Sequence, residues 1–568
     1  MRYNVFILDK MKKPVKIILL VSAVALVSTS LLVSRKFLAG SAANIGNRTV
    51  ITFYGWGNAS EVAMTRQFVD SYNESQDKIY VQYTSIPSGD YQTKITNSLY
   101  SRTPPDVLLA GDGEIKPWIE VGGLAVLDDF LKESTIDLDD FWEEGQNRYY
   151  YNPRKRLNGD YKDPSYASQG YHHYGVMRDL SPTVLFYNKT AFEKVGVKVI
   201  SLSKEDCLSQ YGVARGYFVK DGQKYFNDQI AMTFEEMVTL ARLNTSNTQA
   251  SSENRNPTAT TTYGVHYVNW FSLGWSCNAN SLQWVRDDTY SLGGYYKFTL
   301  DDTRPNYSVK EGKTITLGTG IRQTTYTEGQ LIKFDNLDDA AALSASEKEE
   351  YLYQLPSALQ ATQDYVDLSV TYKVAPKPDF TNSSSVSQYS IFTSGSQTAM
   401  IADSRYAVGI YRQLIKDRFE WNCAPLPHYE HGVASGHSGS LAYCISEKST
   451  HKKEAFEFIE YINGVEGQSA FAEAGFTIPN TKTLSNSNVF LQKRKDPTNS
   501  IMFVDAAAYQ TVGDWGFLPS KDWISPWANL LNTSVLNGDM TLVTACNASR
   551  ERTQRIIDEY YQGINLRV

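Results

Sequence analysis

The chain has 568 residues, with 55 Lys plus Arg against 62 Asp plus Glu, a formal net charge of −7. At 42% hydrophobic and 21% charged it is globular, and about 100–200 residues per domain predicts roughly three cores. Mild acidity argues against a nucleic-acid binder, and five cysteines with no C-x-x-C pair exclude a disulfide scaffold and a structural zinc site. The 38 Tyr, 24 Phe and 10 Trp can fill cores, and they are also what a sugar-binding cleft needs.

In chain order, the first feature is an apolar run without charge from Ile17 to Ser34. It follows Arg2, Lys10, Lys12, Lys13 and Lys16 and precedes Arg35 and Lys36. Its length is about the minimum for a bilayer crossing, and the heavier positive flank predicts a cytoplasmic start and an exported remainder. Two readings stay open: an uncleaved anchor, or a signal peptide cut near Ser41-Ala42-Ala43.

Val50 to Tyr54 reads as a strand that turns out through Gly55-Trp56-Gly57. A helix follows from Ser60, then a strand at Ile79 to Tyr83 and a helix opened by Gly89-Asp90. Asp106 to Ala110 is a short buried strand, and Glu114 to Val121 is a third helix. This alternation predicts parallel strands with helices on both faces. Thr183 to Tyr187 is a further strand, and Thr233 with Glu236 forms a capping box. Residues 244–262 read as a polar linker. Residues 286–350 have no sustained period and read as surface insertions whose removal leaves the fold intact. Strands are expected at Phe419 to Ala424 and Leu441 to Ser446, and an amphipathic helix at Lys452 to Asn463.

Motifs for chemistry are sparse. His172-His173 lacks partners at ligand spacing and reads as a surface pair. His437-Ser438-Gly439-Ser440 lacks the G-x-S-x-G elbow and reads as a loop. Acid pairs such as Asp128-Asp129 and Asp139-Asp140 are expected by chance in so acidic a chain. No cofactor or metal is expected.

Five segments in order carry a resemblance: VITFYGWG; TPPDVLLAGDGEIKPWIEVGGLAVLDDF; SPTVLFYNKTAFEKVGV with MTFEEM; SGSQTAMIADSRYAVG; and FEWNCAPLP with the stretch SLAYCISEK to GFTIPN. Together they resemble the extracellular solute-binding proteins of ABC importers, within the sugar-binding group typified by maltose-binding protein. The resemblance implies an α/β, two-lobed periplasmic-binding-protein-like fold with a hinge and a central ligand cleft. It also implies capture of a carbohydrate and delivery to the transmembrane permease subunits of an ABC importer, without chemistry on the ligand. A hydrolase anchored at the cell surface and a binder of a non-sugar solute such as a peptide remain alternatives. The protein is expected on the extracellular face of the membrane, or secreted, as a monomer.

The same resemblance divides the chain. One lobe is expected over 49–180 plus 428–480 and the other over 181–427 plus 481–568, after an N-terminal segment 1–48. Trp56 and Asp112 follow the ends of parallel strands, where ligands of open α/β sheets sit. Tyr406 stands where the family's sugar-stacking Trp follows its "AM" motif, with Ser404 and Arg405 beside it. Further lining is expected from Tyr54, Glu114, Asp179, Ser181, Trp270, Trp275, Ser438 and Trp515.

Overall fold

The computed structural model describes residues 45–246, 262–268, 271–378, 389–508 and 512–568. The apolar N-terminal run, nearly all of the polar linker and Trp270 lie outside the described residues. Among the described residues no helix is long and apolar enough to cross a membrane.

The first strand, β1 (Thr49–Gly55), buries Ile51, Phe53 and Gly55 at every second position, as a pleated strand on a core must. Helix α1 (Ala59–Ser75) follows, starting one residue before the expected Ser60 and capped by Asn58. Asn58 accepts from the Ser60 and Glu61 amides while the Glu61 carboxylate accepts from the Asn58 amide. Strands β2 (Ile79–Ser85) and β3 (Val107–Gly111) both run parallel to β1, the expected β-α-β arrangement.

The axis of the molecule is β4 (Val176–Asn188), thirteen residues buried throughout. At about 3.3 Å per residue it spans roughly 40 Å. Its two halves have different neighbours. Val176 to Pro182 pairs with β8 (Ser438–Ile445) and, at Asp179 and Leu180, with β9 (Ile478–Pro479). Thr183 to Asn188 pairs with β6 (Thr398–Ser404) and β7 (Trp421–Ala424). Strand β5 (Tyr263–Tyr267) extends the second half from β6, and β3 extends the first half from β8. The sheet order is therefore β5-β6-β4-β8-β3-β1-β2. The neighbours change at Pro182, which has no amide to donate to a ladder.

One core runs across this change, from Ile51, Phe53, Trp118, Tyr443 and Phe458 beside the first half to Phe186, Ile401, Tyr411 and Trp421 on the second. A second core, with Leu185, Phe192, Phe226, Met237 and Met400, takes the alternate residues of the second half. Leu426 and Tyr429 still belong to the second, so the chain rejoins the first half-sheet only with β8.

Residues 286–350 depart from expectation. They hold strands Gly294–Phe298, Asn306–Val309, Thr314–Leu317 and Thr324–Thr327 and helices Leu337–Ala342 and Ala345–Tyr351. Tyr307, Val309, Tyr326, Ile332, Phe334 and Leu337 form a core of their own. Arg286 clamps it, with Nε donating to Asp335 at 2.6 Å and Nη2 to Asn336 at 2.7 Å. Phe298 and Leu300 also pack into the C-terminal core with Trp523, Trp527 and Ile557. Excising this segment would take Phe298 and Leu300 away from Trp523, Trp527 and Ile557 and leave those residues bare, so the expectation that it is dispensable is corrected. The strands are four or five residues long, too short to register as a period. The histidine pair is corrected too: His172 and His173 both meet the Asp128 carboxylate, at 2.6 and 2.8 Å. All five cysteines are buried and unbridged.

Candidate functional site

The carboxyl ends of β1 and β3 and the middle of β4 converge on a cavity of about 290 Å³. Trp56, Asp112, Glu114 and Asp179 line it from the first half of the sheet. Ser181, Ser404, Tyr406 and Trp515 complete the expected residues that it gathers. Each follows from local structure. Trp56 leaves β1 at the Gly55 turn, its ring 6.3 Å from Tyr91. Glu114 folds back over β3 because Gly111 has no side chain; a Cβ there would stand 2.3 Å from the Glu114 carboxylate. Tyr406 comes two residues after Ser404, the end of β6, and its amide donates to the Ser181 hydroxyl at 2.9 Å.

Four expected residues lie elsewhere. Tyr54 packs against the first core, beside Phe53. Trp275 is buried in a short 3-10 turn, 6.3 Å from Phe517. Arg405 is fully buried, its guanidinium between Phe490 at 4.9 Å and Phe503 at 5.1 Å. It turns away from the cavity because its neighbours Ser404 and Tyr406 take the cavity side. Ser438 sits one layer behind the wall, where its hydroxyl accepts from Arg148 Nη2 at 2.6 Å.

The cavity also takes residues not expected to line it: Glu61, Arg178, Leu441 and Thr477, and, from the motif read as a loop, His437, Gly439 and Ser440, of which the last two lie in β8. Arg178 Nε donates to Asp179 at 2.5 Å, and its Nη2 lies 3.6 Å from Glu61. A charged dipeptide inside the apolar run Val176–Asn188 was the available signal. Burial pushes the Glu61 carboxyl up, with Arg178 opposing. Burial likewise raises Asp112 against the pull of Arg148, which donates to it at 2.9 Å. Burial, then the Arg148 charge, drives the His437 imidazole down to about 3, so it stays neutral at physiological pH. Its ring meets Trp515 edge-on at 4.9 Å.

The cavity is closed by contacts between the two halves. Asn58 Nδ2 donates to the Tyr406 hydroxyl at 3.1 Å, and Gln413 donates to Ser60 at 3.1 Å. Lys521 meets Glu114 at 2.9 Å. Such a site presents aromatic faces and several fixed carboxylates. Carboxylates accept two hydrogen bonds side by side and so suit adjacent hydroxyls. Among the described residues no three His, Cys, Asp or Glu side chains are grouped to hold a metal ion.

The family of bacterial extracellular solute-binding proteins matches over residues 67–498, most of the chain. The protein belongs to that family. Solved solute-binding proteins have a similar fold. An ABC substrate-binding protein from Listeria monocytogenes, in complex with cycloalternan, is 16% identical with a TM-score of 0.58. That alignment covers 90% of this chain and 100% of the other. The GacH receptor of Streptomyces glaucescens, described unliganded and with acarbose, is 15% identical, with a TM-score of 0.57 and coverage of 90% and 99%. The sugar-binding protein MalE of Xanthomonas citri is 16% identical, with a TM-score of 0.58 and coverage of 90% and 98%. No curated protein sequence matches this solute-binding protein.

Proposed function

We propose that this solute-binding protein captures a carbohydrate in the cavity beside Pro182 and hands it, unaltered, to the permease subunits of an ABC importer. The observation that carries the reading is one cavity that combines the rings of Trp56, Tyr406 and Trp515 with the carboxylates of Glu61, Asp112, Glu114 and Asp179. Rings cover the apolar faces of pyranoses, and carboxylates take the hydroxyls. The cations Arg178, Arg148 and Lys521 beside those four acids leave the site near neutral, which suits an uncharged ligand better than a polyamine. Similar folds in proteins described with cycloalternan, acarbose and maltotetraose add weight.

The same reading divides the molecule at the change of neighbours along β4. One lobe takes residues 49–180 plus β8 to about residue 480, and the other takes 181–433 plus the tail. Phe503 of the tail packs on Phe186 of the second half, at 5.9 Å. Closure is then a rotation about β4 and the return near Val433 to Ser438, with the Asn58–Tyr406 and Lys521–Glu114 contacts made only when shut. The apolar run Ile17 to Ser34 tethers the protein outside the cell. N-terminal sequencing of native material tests that part, since a chain beginning near Ala43 would remove the anchor.

Calorimetry and thermal unfolding against a panel of mono- and oligosaccharides test the main reading. A cognate sugar at a hundred times its Kd adds about 2.7 kcal/mol of stability and is recovered intact. Release of reducing ends would make the protein a hydrolase. Stabilisation by peptides and by no sugar would make it a different carrier.

A further inference from the structure

Tyr406 is held at both ends. Its amide donates to the Ser181 hydroxyl at 2.9 Å, and Ser181 belongs to the axis strand β4. Its own hydroxyl accepts from Asn58 Nδ2 at 3.1 Å and donates to the Glu61 carboxylate. Asn58 and Glu61 are the two partners of the capping box that starts α1. That helix start is tied to the same axis strand, because Arg178 of β4 lies 3.6 Å from Glu61. The contacts therefore form a closed circuit, from β4 to Tyr406, from Tyr406 to α1, and from α1 back to β4.

The sequence builds each part of this seat. Gly57 precedes the box, and a Cβ there would stand 2.9 Å from the Glu61 Cβ and 3.0 Å from its Oε2. A bare backbone at that point lets the carboxylate fold back to the Asn58 amide, which donates to it at 3.0 Å. Asn58 commits its Oδ1 to the Ser60 and Glu61 amides, at 2.9 and 3.0 Å, and this leaves Nδ2 to reach across to the phenol. Ser or Asp would cap the helix about as well, but neither has an amide left over to donate. On the other side, the helix Ala407–Ile415 begins directly after Tyr406 and returns to α1 through Gln413, which donates to the Ser60 hydroxyl at 3.1 Å. Glu61 is only 3% exposed, so these bonds form where water competes little. With its proton on Glu61 and a lone pair on Asn58, the hydroxyl serves the protein, and the ring is what Tyr406 leaves for a ligand.

We infer that Asn58 and Glu61 are positioning residues for Tyr406: the start of α1, on one lobe, seats the phenol of the other lobe as the cleft shuts and turns its ring to a bound sugar in one fixed orientation. The inference rests on the carbohydrate reading above and adds how release from that site is controlled. The bonds join the lobes, and a sugar leaves only after they are broken. They therefore slow release without touching the ligand.

Stopped-flow binding on the whole protein is the test, with the sugar that stabilises it most in the panel above as the probe. Tyr406→Phe keeps the ring and loses the hydroxyl, and should release the probe about fivefold faster at an unchanged association rate. Asn58→Ser keeps a cap on α1 and loses the amide donor. Glu61→Gln keeps the capping box and loses the charge that strengthens the bond from the phenol. Each of these two should speed release at least about twofold in the parent background. Neither should speed it further once Tyr406→Phe is present, because the bonds they remove are already gone. Release from Tyr406→Phe at the parent's rate, or effects of the two α1 variants that persist in full in its background, overturns the assignment and leaves the carbohydrate reading standing. Binding of no saccharide by the parent overturns that reading and this inference with it.

Discussion

Asp112 and Glu114 stand two residues apart in the loop after β3, and the protein uses them in opposite ways. Asp112 and Arg148 keep only 6% and 5% of their side-chain surface exposed, and Arg148 also donates to the Ser438 carbonyl at 2.5 Å. Glu114 and Lys521 are 26% and 39% exposed, and Lys521 comes from the far tail. A buried pair is costly to break because each charge leaves the other stranded, whereas a surface pair is remade by water at little cost. The first therefore fixes the shape of a wall, and the second is the pair that a hinge motion of the proposed kind could break at little cost.

The largest expected effect comes from breaking the buried side. Arg148→Ala should cost about 3–5 kcal/mol in urea unfolding, because Asp112 is left charged without its partner. Arg148→Met with Asp112→Asn should recover a good part of that loss. A double variant as unstable as the single one would mean that the wall depends on packing rather than on the pair.

A third carboxylate sharpens the comparison. Asp403 is buried and meets no cation among the described residues, accepting instead from the Tyr411 hydroxyl and from the Ser404 amide, each at 2.7 Å. Burial pushes it up to about 6, against the opposing hydrogen bonds from Tyr411 and the Ser404 amide. Between about pH 4 and 6 the folded chain keeps a proton that the unfolded chain releases. Stability from this group is thus complete below pH 4 and is lost as pH rises through 6, by about 3 kcal/mol in all. Urea midpoints of Asp403→Asn should lack this slope, and a slope identical to that of the parent would contradict the assignment.

Smaller effects belong to the cavity. Trp56→Ala should weaken a bound sugar about tenfold, about 1.4 kcal/mol, as measured by calorimetry. Lys521→Ala should change unfolding by only about 0–1 kcal/mol. Small-angle scattering on that variant should give a larger radius of gyration without ligand, and the parent's radius with it.

Legibility followed the same division between local and distant. Trp56 and Asp112 could be read because each closely follows a strand, and the end of a strand in an α/β sheet predicts a position in space; Tyr406 was legible only through the resemblance of its segment to the family's "AM" motif. Glu61 could not, because in sequence it is an ordinary acid in the first turn of a helix, and only the sheet brings Arg178 beside it. His437 was read as loop, and its neighbour Trp515 is 78 residues away in the tail. Arg405 misled because a position next to a known contact says nothing about direction, and adjacent residues at a strand end point apart. The segment 286–350 looked featureless because its strands are short, each contributes one or two apolar residues, and Asn306–Val309 finds its partner only at Leu352–Leu355, far along the chain. Its core exists only once the strands have met.

The five cysteines carry a last consequence. Every one is buried, and burial pushes the Cys546 thiol up to about 12 and raises Cys277, Cys423 and Cys444 as well. The attacking species in oxidation and alkylation is the thiolate, which these four groups scarcely form at neutral pH. The folded chain is thus expected to be chemically quiet toward maleimides and oxidants. A cysteine introduced at Ser60 and another at Gln413, which face each other across the mouth of the cavity, would then be the only thiols to take a dye. The native sequence offers a dark background against which the distance between those two points can be followed in a single molecule.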